Sequence, residues 1–203
     1  MAYTPEEEQE LNEIKAWWKE NYKVLIASIV VAFAGVFGWN YWQSYQANKI
    51  QQTSVFYEQA IYSSQDFATK SAQIDQFVQA HNKTSYAVLA LLEKAKLEVE
   101  KEEFAQAEQS LKQALAQSSD QTLSSISALR LASVQFQQQA FDAALESLQL
   151  VKEASWDSRK SLLTGDILLA KGDKIAAKAS YEQALQNASA LEAQWLQVRL
   201  NNL

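Results

Sequence analysis

A chain of 203 residues with 24 acidic and 18 basic side chains, net charge −6, offers nucleic acid no basic surface. It has no Cys and a single His, which removes disulfides, thiol chemistry and Cys-based metal sites. One Pro and four Gly among abundant Ala, Leu, Gln, Glu and Lys point to an all-α fold.

The leader, residues 1–22, opens with Thr4-Pro5 and then Glu6, Glu7 and Glu8. This is a helix start: a capping hydroxyl, Pro in the first turn, and acids against the positive end of the helix dipole. Leu11, Ile14, Trp17 and Trp18 share one apolar stripe. Such a stripe suits a helix lying on the inner leaflet, or a docking peptide for a cytoplasmic or membrane partner.

Val24–Trp42 holds 19 residues without a charge. As a helix it would be about 28 Å long, close to the ~30 Å hydrocarbon core of a bilayer. Trp17, Trp18 and Tyr22 precede it, and Trp39, Tyr41, Trp42 and Tyr45 follow, where amphipathic rings meet the membrane interface. The apolar run is longer than that of a cleaved signal peptide, and its far flank is bulky rather than Ala-x-Ala-like. A single transmembrane helix over 23–42 is therefore expected. Within it, Ser28 and Ala32, then Ala34 and Gly38, are small-xxx-small pairs that let a second helix approach, and these four are a candidate packing face. Lys15, Lys19 and Lys23 precede the span, with only Lys49 soon after it. That asymmetry predicts a cytoplasmic N-terminus and a domain across the membrane, in the periplasm of a Gram-negative cell.

The domain is expected over 43–203. Nothing after Trp42 stops the helix before about Ser64, and Asp66–Ala80 reads as the next one. A polar break at 81–85 follows, with Thr84 or Ser85 as the cap. A spacing then recurs. At offsets of 9, 12, 16 and 19 from Ala95 stand Phe104, Ala107, Leu111 and Ala114. From Ala132 the same offsets give Phe141, Ala144, Leu148 and Val151, and from Gly165 they give Lys174, Ala177, Tyr181 and Ala184. The periods are 37 and 33 residues. Small residues at these places let two antiparallel helices close together, while the larger ones fill the space between pairs. The pattern resembles the tetratricopeptide repeat, a helix-turn-helix unit of about 34 residues stacked into an α-solenoid. It predicts repeats at about 88–121, 125–158 and 158–191. The third has the usual Gly172-Asp173 turn; the first has Lys101-Glu102-Glu103 instead, and Lys174 replaces the aromatic. Leu191, Trp195, Leu196, Val198, Arg199 and Leu200 read as a helix capping the last repeat.

Chemistry finds little footing. His81 lies in a polar break with nothing spaced to orient it. No phosphate-binding Gly loop is present. Glu98, Glu100, Glu102 and Glu103 mix with Lys96 and Lys101 as a solvated helix end does. The reading is a non-enzyme without cofactor or metal. One apolar constellation stands out: large residues three before and four after each small one, namely Leu92 and Val99, Leu129 and Phe136, Leu162 and Leu169. On stacked repeats these six form either a peptide groove or part of the core, since both positions share the packing face.

Further strings stand in order along the chain: Trp17-Trp18 and Asn21-Tyr22-Lys23, Gly38-Trp39-x-Tyr41-Trp42, Ser85-Tyr86-Ala87-x-Leu89-Ala90, Arg130-Leu131-Ala132-x-Val134-Gln135, Gly172-Asp173-Lys174 and Arg199-Leu200-Asn201-Asn202-Leu203. In order and spacing the whole chain resembles the YfgM family, the ancillary subunit of the bacterial SecYEG translocon. The resemblance implies a single-pass inner-membrane protein with a periplasmic TPR-like domain. It also implies association with SecYEG and the membrane-anchored chaperone PpiD, in an assembly that passes translocated chains to periplasmic chaperones. Unfolded client polypeptides and the lipid bilayer are the further partners it implies. Two other readings stand beside it: a regulator of envelope stress signalling acting through the leader, and a scaffold that only self-associates through its repeats.

Overall fold

The computed structural model describes residues 4–64 and 66–203, so the first three residues of the leader lie outside the described residues. Among the described residues the chain has nine α-helices, one 3-10 turn and no strand. Two compact units divide within the first helix, one ending at Gln52 and the other spanning Thr53–Leu203.

Helix α1 (Pro5–Tyr62) begins where the sequence signals it. The Glu7 N–H donates to the Thr4 hydroxyl at 3.4 Å, and the Thr4 N–H donates to the Glu7 carboxylate at 2.8 Å, a reciprocal capping box. The helix then continues through Gly35 and Gly38 to Tyr62, close to the expected end near Ser64.

The second unit continues through α2 (Phe67–Ala80), α3 (Ser85–Glu100), α4 (Phe104–Gln117), α5 (Gln121–Gln137) and α6 (Phe141–Gln149). It ends with α7 (Asp157–Ala170), α8 (Lys174–Leu185) and α9 (Ala190–Asn201). Side-chain caps set the starts: Asp66, Thr84, Asp120 and Asp173 each accept a backbone N–H in the first turn, and Ser189 forms a capping box with Glu192. Helices α3 and α4, α5 and α6, and α7 and α8 pack as three pairs, and α3, α5 and α7 are neighbours on one side of the stack.

The recurrent small residues sit at the pair contacts. Ala107, Ala132, Ala144 and Ala177 are fully buried, and Ala95 nearly so. Leu111, Leu148 and Tyr181, one from the second helix of each pair, are among the largest fully buried side chains. Because the whole pattern is carried by 3.6-residue periodicity, each position meets its counterpart once per repeat.

The turns inside the three pairs share one backbone form. Glu102, Gln139 and Gly172 take φ of 61°, 60° and 88°, the left-handed conformation that ends a helix. The following N–H returns to the preceding helix in each: Glu103 to Glu98 O at 2.8 Å, Ala140 to Gln135 O at 2.8 Å, Asp173 to Leu168 O at 3.0 Å. Only the third turn uses the residue type that adopts this φ without steric cost. The first two hold it through the same hydrogen bonds.

The pairs differ in their buried polar groups. In the second, Ser147 Oγ donates to Gln135 Oε1 at 2.6 Å, and Gln135 Nε2 donates to Glu108 at 3.1 Å. The matching position in the first is Glu98, 4% exposed. Ser110 hydrogen-bonds its carboxyl, yet Oε2 has no partner among the described residues. Burial pushes the Glu98 carboxyl above the ordinary carboxylate range, against the pull of Ser110 and Lys94. The folded chain therefore keeps this proton to higher pH than the unfolded chain does, so stability falls as pH rises from the ordinary glutamate value through the raised one. Glu98→Gln is expected to raise stability by about 1 kcal/mol at pH 7 and to change it little near pH 4. Thermal melts of both chains across that range check it.

Candidate functional site

Helix α1 is the one helix, among the described residues, that is long and apolar enough to cross a membrane, and its uncharged run lies within the first unit. Val24, Val31, Phe33 and Phe37 are all exposed on it, so apolar surface runs round the helix rather than along one stripe. Trp17, Trp18, Trp39, Tyr41, Trp42 and Tyr45 are exposed and Tyr22 is half-buried. The two ring clusters stand about 32 Å apart, from Trp18 to Trp39, at 1.5 Å per residue. The small residues divide into two sets. At about 100° per residue the Ser28–Ala32 pair lies roughly 120° round the helix from the Ala34–Gly38 pair. Gly35, which the pairwise spacing does not single out, falls beside Ser28 and Ala32. A Cβ at Gly35 or Gly38 would meet nothing within 4 Å.

The second unit presents clefts on the side lined by α3, α5 and α7. The larger, about 710 Å³, lies between α5, α7 and α9, within the size range of ligand pockets. Leu129 and Leu162 line its apolar part, with Trp156 and Trp195. A smaller cleft of about 370 Å³ lies between α3, α4 and α5 and includes Val99 and Phe104. Arg130 and Ser133 line both, so the two clefts meet along α5.

The six groove positions are thus placed apart. Val99, Leu129 and Leu162 line the clefts. Leu92 is buried in the first core cluster with Ile74, Phe77 and Val78 from α2. Phe136 is half-buried with its ring 6.0 Å from that of Phe141, and Leu169 packs against the last core cluster around Tyr181.

Charged groups form the other half of the larger cleft. Asp166 on α7 accepts from Arg199 Nε at 2.6 Å and Nη2 at 3.1 Å, and from the Tyr181 hydroxyl at 2.8 Å. Burial and the Asp166 carboxylate push the Tyr181 hydroxyl well above an ordinary phenol, and Asp166 likewise raises the Arg199 guanidinium. This cluster ties α9 to α7 and α8. Arg159 Nε stands 3.6 Å from Glu192, whose carboxyl is held low by the Ser189 backbone N–H, then by the Ser189 hydroxyl. Tyr181 and Arg199 stand among the residues expected from the repeat and the capping helix, whereas Arg130, Arg159, Asp166 and Glu192 lie off the spacing that picks out the groove positions. A count would have found the arginines: the chain has three, Arg130, Arg159 and Arg199, and all three line this cleft.

The terminal helix caps the stack with a small part of its surface. Leu196 is fully buried and Leu200 packs against the same cluster, whereas Leu191, Trp195 and Val198 are exposed. The face turned from the core is apolar, and Trp195 gives one edge of the cleft. No cluster of His, Asp and Glu able to hold a metal ion occurs among the described residues.

A family profile described as a tetratricopeptide repeat-like domain matches residues 15–203. The chain is 62% identical to a protein of Aggregatibacter actinomycetemcomitans named ancillary SecYEG translocon subunit, over all of both chains. Proteins of the same name from Haemophilus influenzae and Escherichia coli are 54% and 32% identical, covering all of this chain and 100% and 99% of theirs. Among solved structures, two of MamA superpose with TM-scores of 0.54 and 0.50 at 20% and 21% identity. They cover 66% and 60% of this chain and 72% and 68% of theirs, a likeness of fold. On the full-length identity and the repeat-domain match together, the chain belongs to the tetratricopeptide repeat-like family of ancillary SecYEG translocon subunits.

Proposed function

We propose that this protein is a non-enzymatic adaptor of the SecYEG translocon. Its α1 segment anchors it in the bacterial inner membrane, N-terminus in the cytoplasm and repeats in the periplasm, where the clefts bind a partner or client. The single observation that carries the reading is a full-length match to proteins named for that association. The lysine asymmetry around the apolar run supports the orientation, and the exposed ring clusters support the depth of the span. In this reading the repeats, with PpiD, help translocated chains on to periplasmic chaperones, and Val99, Leu129 and Leu162 supply apolar contact.

Deleting residues 2–16 separates this function from a regulatory one. The shortened protein, expressed in place of the full chain, is expected to co-purify with SecYEG from solubilised membranes at an undiminished ratio. Loss of SecYEG would place the main contact on the leader, as the signalling reading requires.

A further inference from the structure

The larger cleft is charged in a way that its apolar lining does not require. The chain uses 18 Lys and Arg together, and its three Arg residues all line this one cleft. Two are neutralised within it, Arg199 by Asp166 and Arg159 by Glu192. Arg130 is not. Its guanidinium makes one hydrogen bond among the described residues, from Nη1 to the Leu92 carbonyl at 3.4 Å, and no carboxylate there stands within ion-pair distance. The cleft thus has one positive charge in excess on a chain of net charge −6. Arg130 lies where the two clefts meet, with Leu129 and Leu162 on one side and Val99 and Phe104 on the other. An exposed guanidinium between two apolar depressions matches a ligand that alternates in the same order. Its planar fork fits a carboxylate, and its weak hydration makes it easier to desolvate than a lysine.

We propose that the joined clefts bind a peptide segment in which a carboxylate side chain stands between large apolar ones, with Arg130 receiving the carboxylate. This names the kind of partner for the adaptor reading and rests on it. Trp195 and Leu162 enclose an apolar side chain on one side of the ion pair, and Val99 and Phe104 on the other. Asp166 and Glu192 are held by their own arginines and so do not cancel Arg130. The other two arginines of the larger cleft are likewise taken up by these carboxylates and leave no free cation for a second acidic residue, so the segment is apolar there.

The test uses the full chain in nanodiscs of zwitterionic lipid and a fluorescein-labelled octapeptide of alternating Leu and Asp, with its Leu and Lys counterpart. Anisotropy is expected to show saturable binding of the acidic peptide, at least about tenfold tighter than the basic one. Arg130→Met should lose about tenfold for the acidic peptide and little for the basic one, while Trp195→Ala weakens both. Both side chains are exposed, so an unchanged melting temperature shows that the fold is intact, and Arg130→Lys should restore part of the affinity. Equal binding of the two peptides, or indifference to Arg130→Met, would remove the charge from the reading. Binding of neither peptide overturns the proposal, as does Arg130-dependent binding of short-chain phosphatidylglycerol in place of the peptide. Co-purification of the wild-type chain with SecYEG is read separately: its failure sinks the adaptor function, and failure of the peptide assay alone sinks only this inference.

Discussion

Gly165→Ala is expected to destabilise the repeat domain by about 2 kcal/mol. The reason lies in a paired exchange between repeats. Where the first two pairs set Ala95 and Ala132 beside the level of Leu111 and Leu148, the third sets Gly165 beside Tyr181. The ring occupies the space a methyl would need. A Cβ on Gly165 would come 2.4 Å from Tyr181 Cε1 and 2.5 Å from Cδ1, and the ring cannot swing aside, being fully buried and held by its hydroxyl on Asp166. Overpacking costs about 1–3 kcal/mol and sometimes more. With two atoms of a buried ring this close the cost falls at the upper end, about 3 kcal/mol, and the gain of about 1 kcal/mol because Ala is the better helix former leaves about 2 kcal/mol. In a domain of this size the loss is a fall in Tm of about 4–8 °C. The double variant Gly165→Ala with Tyr181→Leu recreates the combination of the first two repeats and should be more stable than Gly165→Ala alone. If the single variant melts with the wild type, the close approach is not a constraint.

That exchange also shows what a sequence of this kind discloses. The offsets from Ala95, Ala132 and Gly165 located the helix contacts because they arise within each helix pair, where helical periodicity dictates which residues meet. The long apolar helix α1 was equally plain, since length, missing charge and flanking rings act on one helix alone. The cleft was less legible. Which side of α5 or α7 faces open space depends on the stagger between successive pairs, and no single helix encodes it. Leu92, Leu129 and Leu162 are equivalent by spacing, yet α2 covers Leu92 while the other two line the cleft. Glu102 and Gln139 show a second gap: only Gly172 announces a left-handed turn, although all three residues make one. Backbone hydrogen bonds hold that conformation without the residue that marks it.

Asp166→Ala should have the larger effect, a loss of about 2–3 kcal/mol concentrated in α9. The carboxylate answers two demands at once. Tyr181 buries a hydroxyl whose acceptor is Asp166, and a buried donor left without an acceptor costs about 1–3 kcal/mol. The Arg199 pair is bidentate but partly open to solvent, its side chains 39% and 22% exposed, so screening limits its share to under about 1 kcal/mol. Few other contacts hold the terminal helix. Leu196 is its one fully buried side chain, and the Arg159–Glu192 pair is loose at 3.6 Å. Solenoid repeats are stabilised mainly by their nearest neighbours, so an end element detaches before the interior does. Hydrogen exchange is therefore expected to rise first in α9 and then in α8, with α3 and α4 keeping their protection. Asp166→Asn keeps an acceptor for Tyr181 and should recover about half of the loss, and in a Tyr181→Phe background Asp166→Ala should cost less, because no buried hydroxyl remains to be stranded. Since α9 supplies Trp195 and Arg199 to the cleft, the same variant should weaken acidic-peptide binding while Arg130 is intact. Uniform loss of protection across α3–α9 would instead mean that the repeats unfold as one cooperative block, and that Asp166 stabilises the block rather than its end.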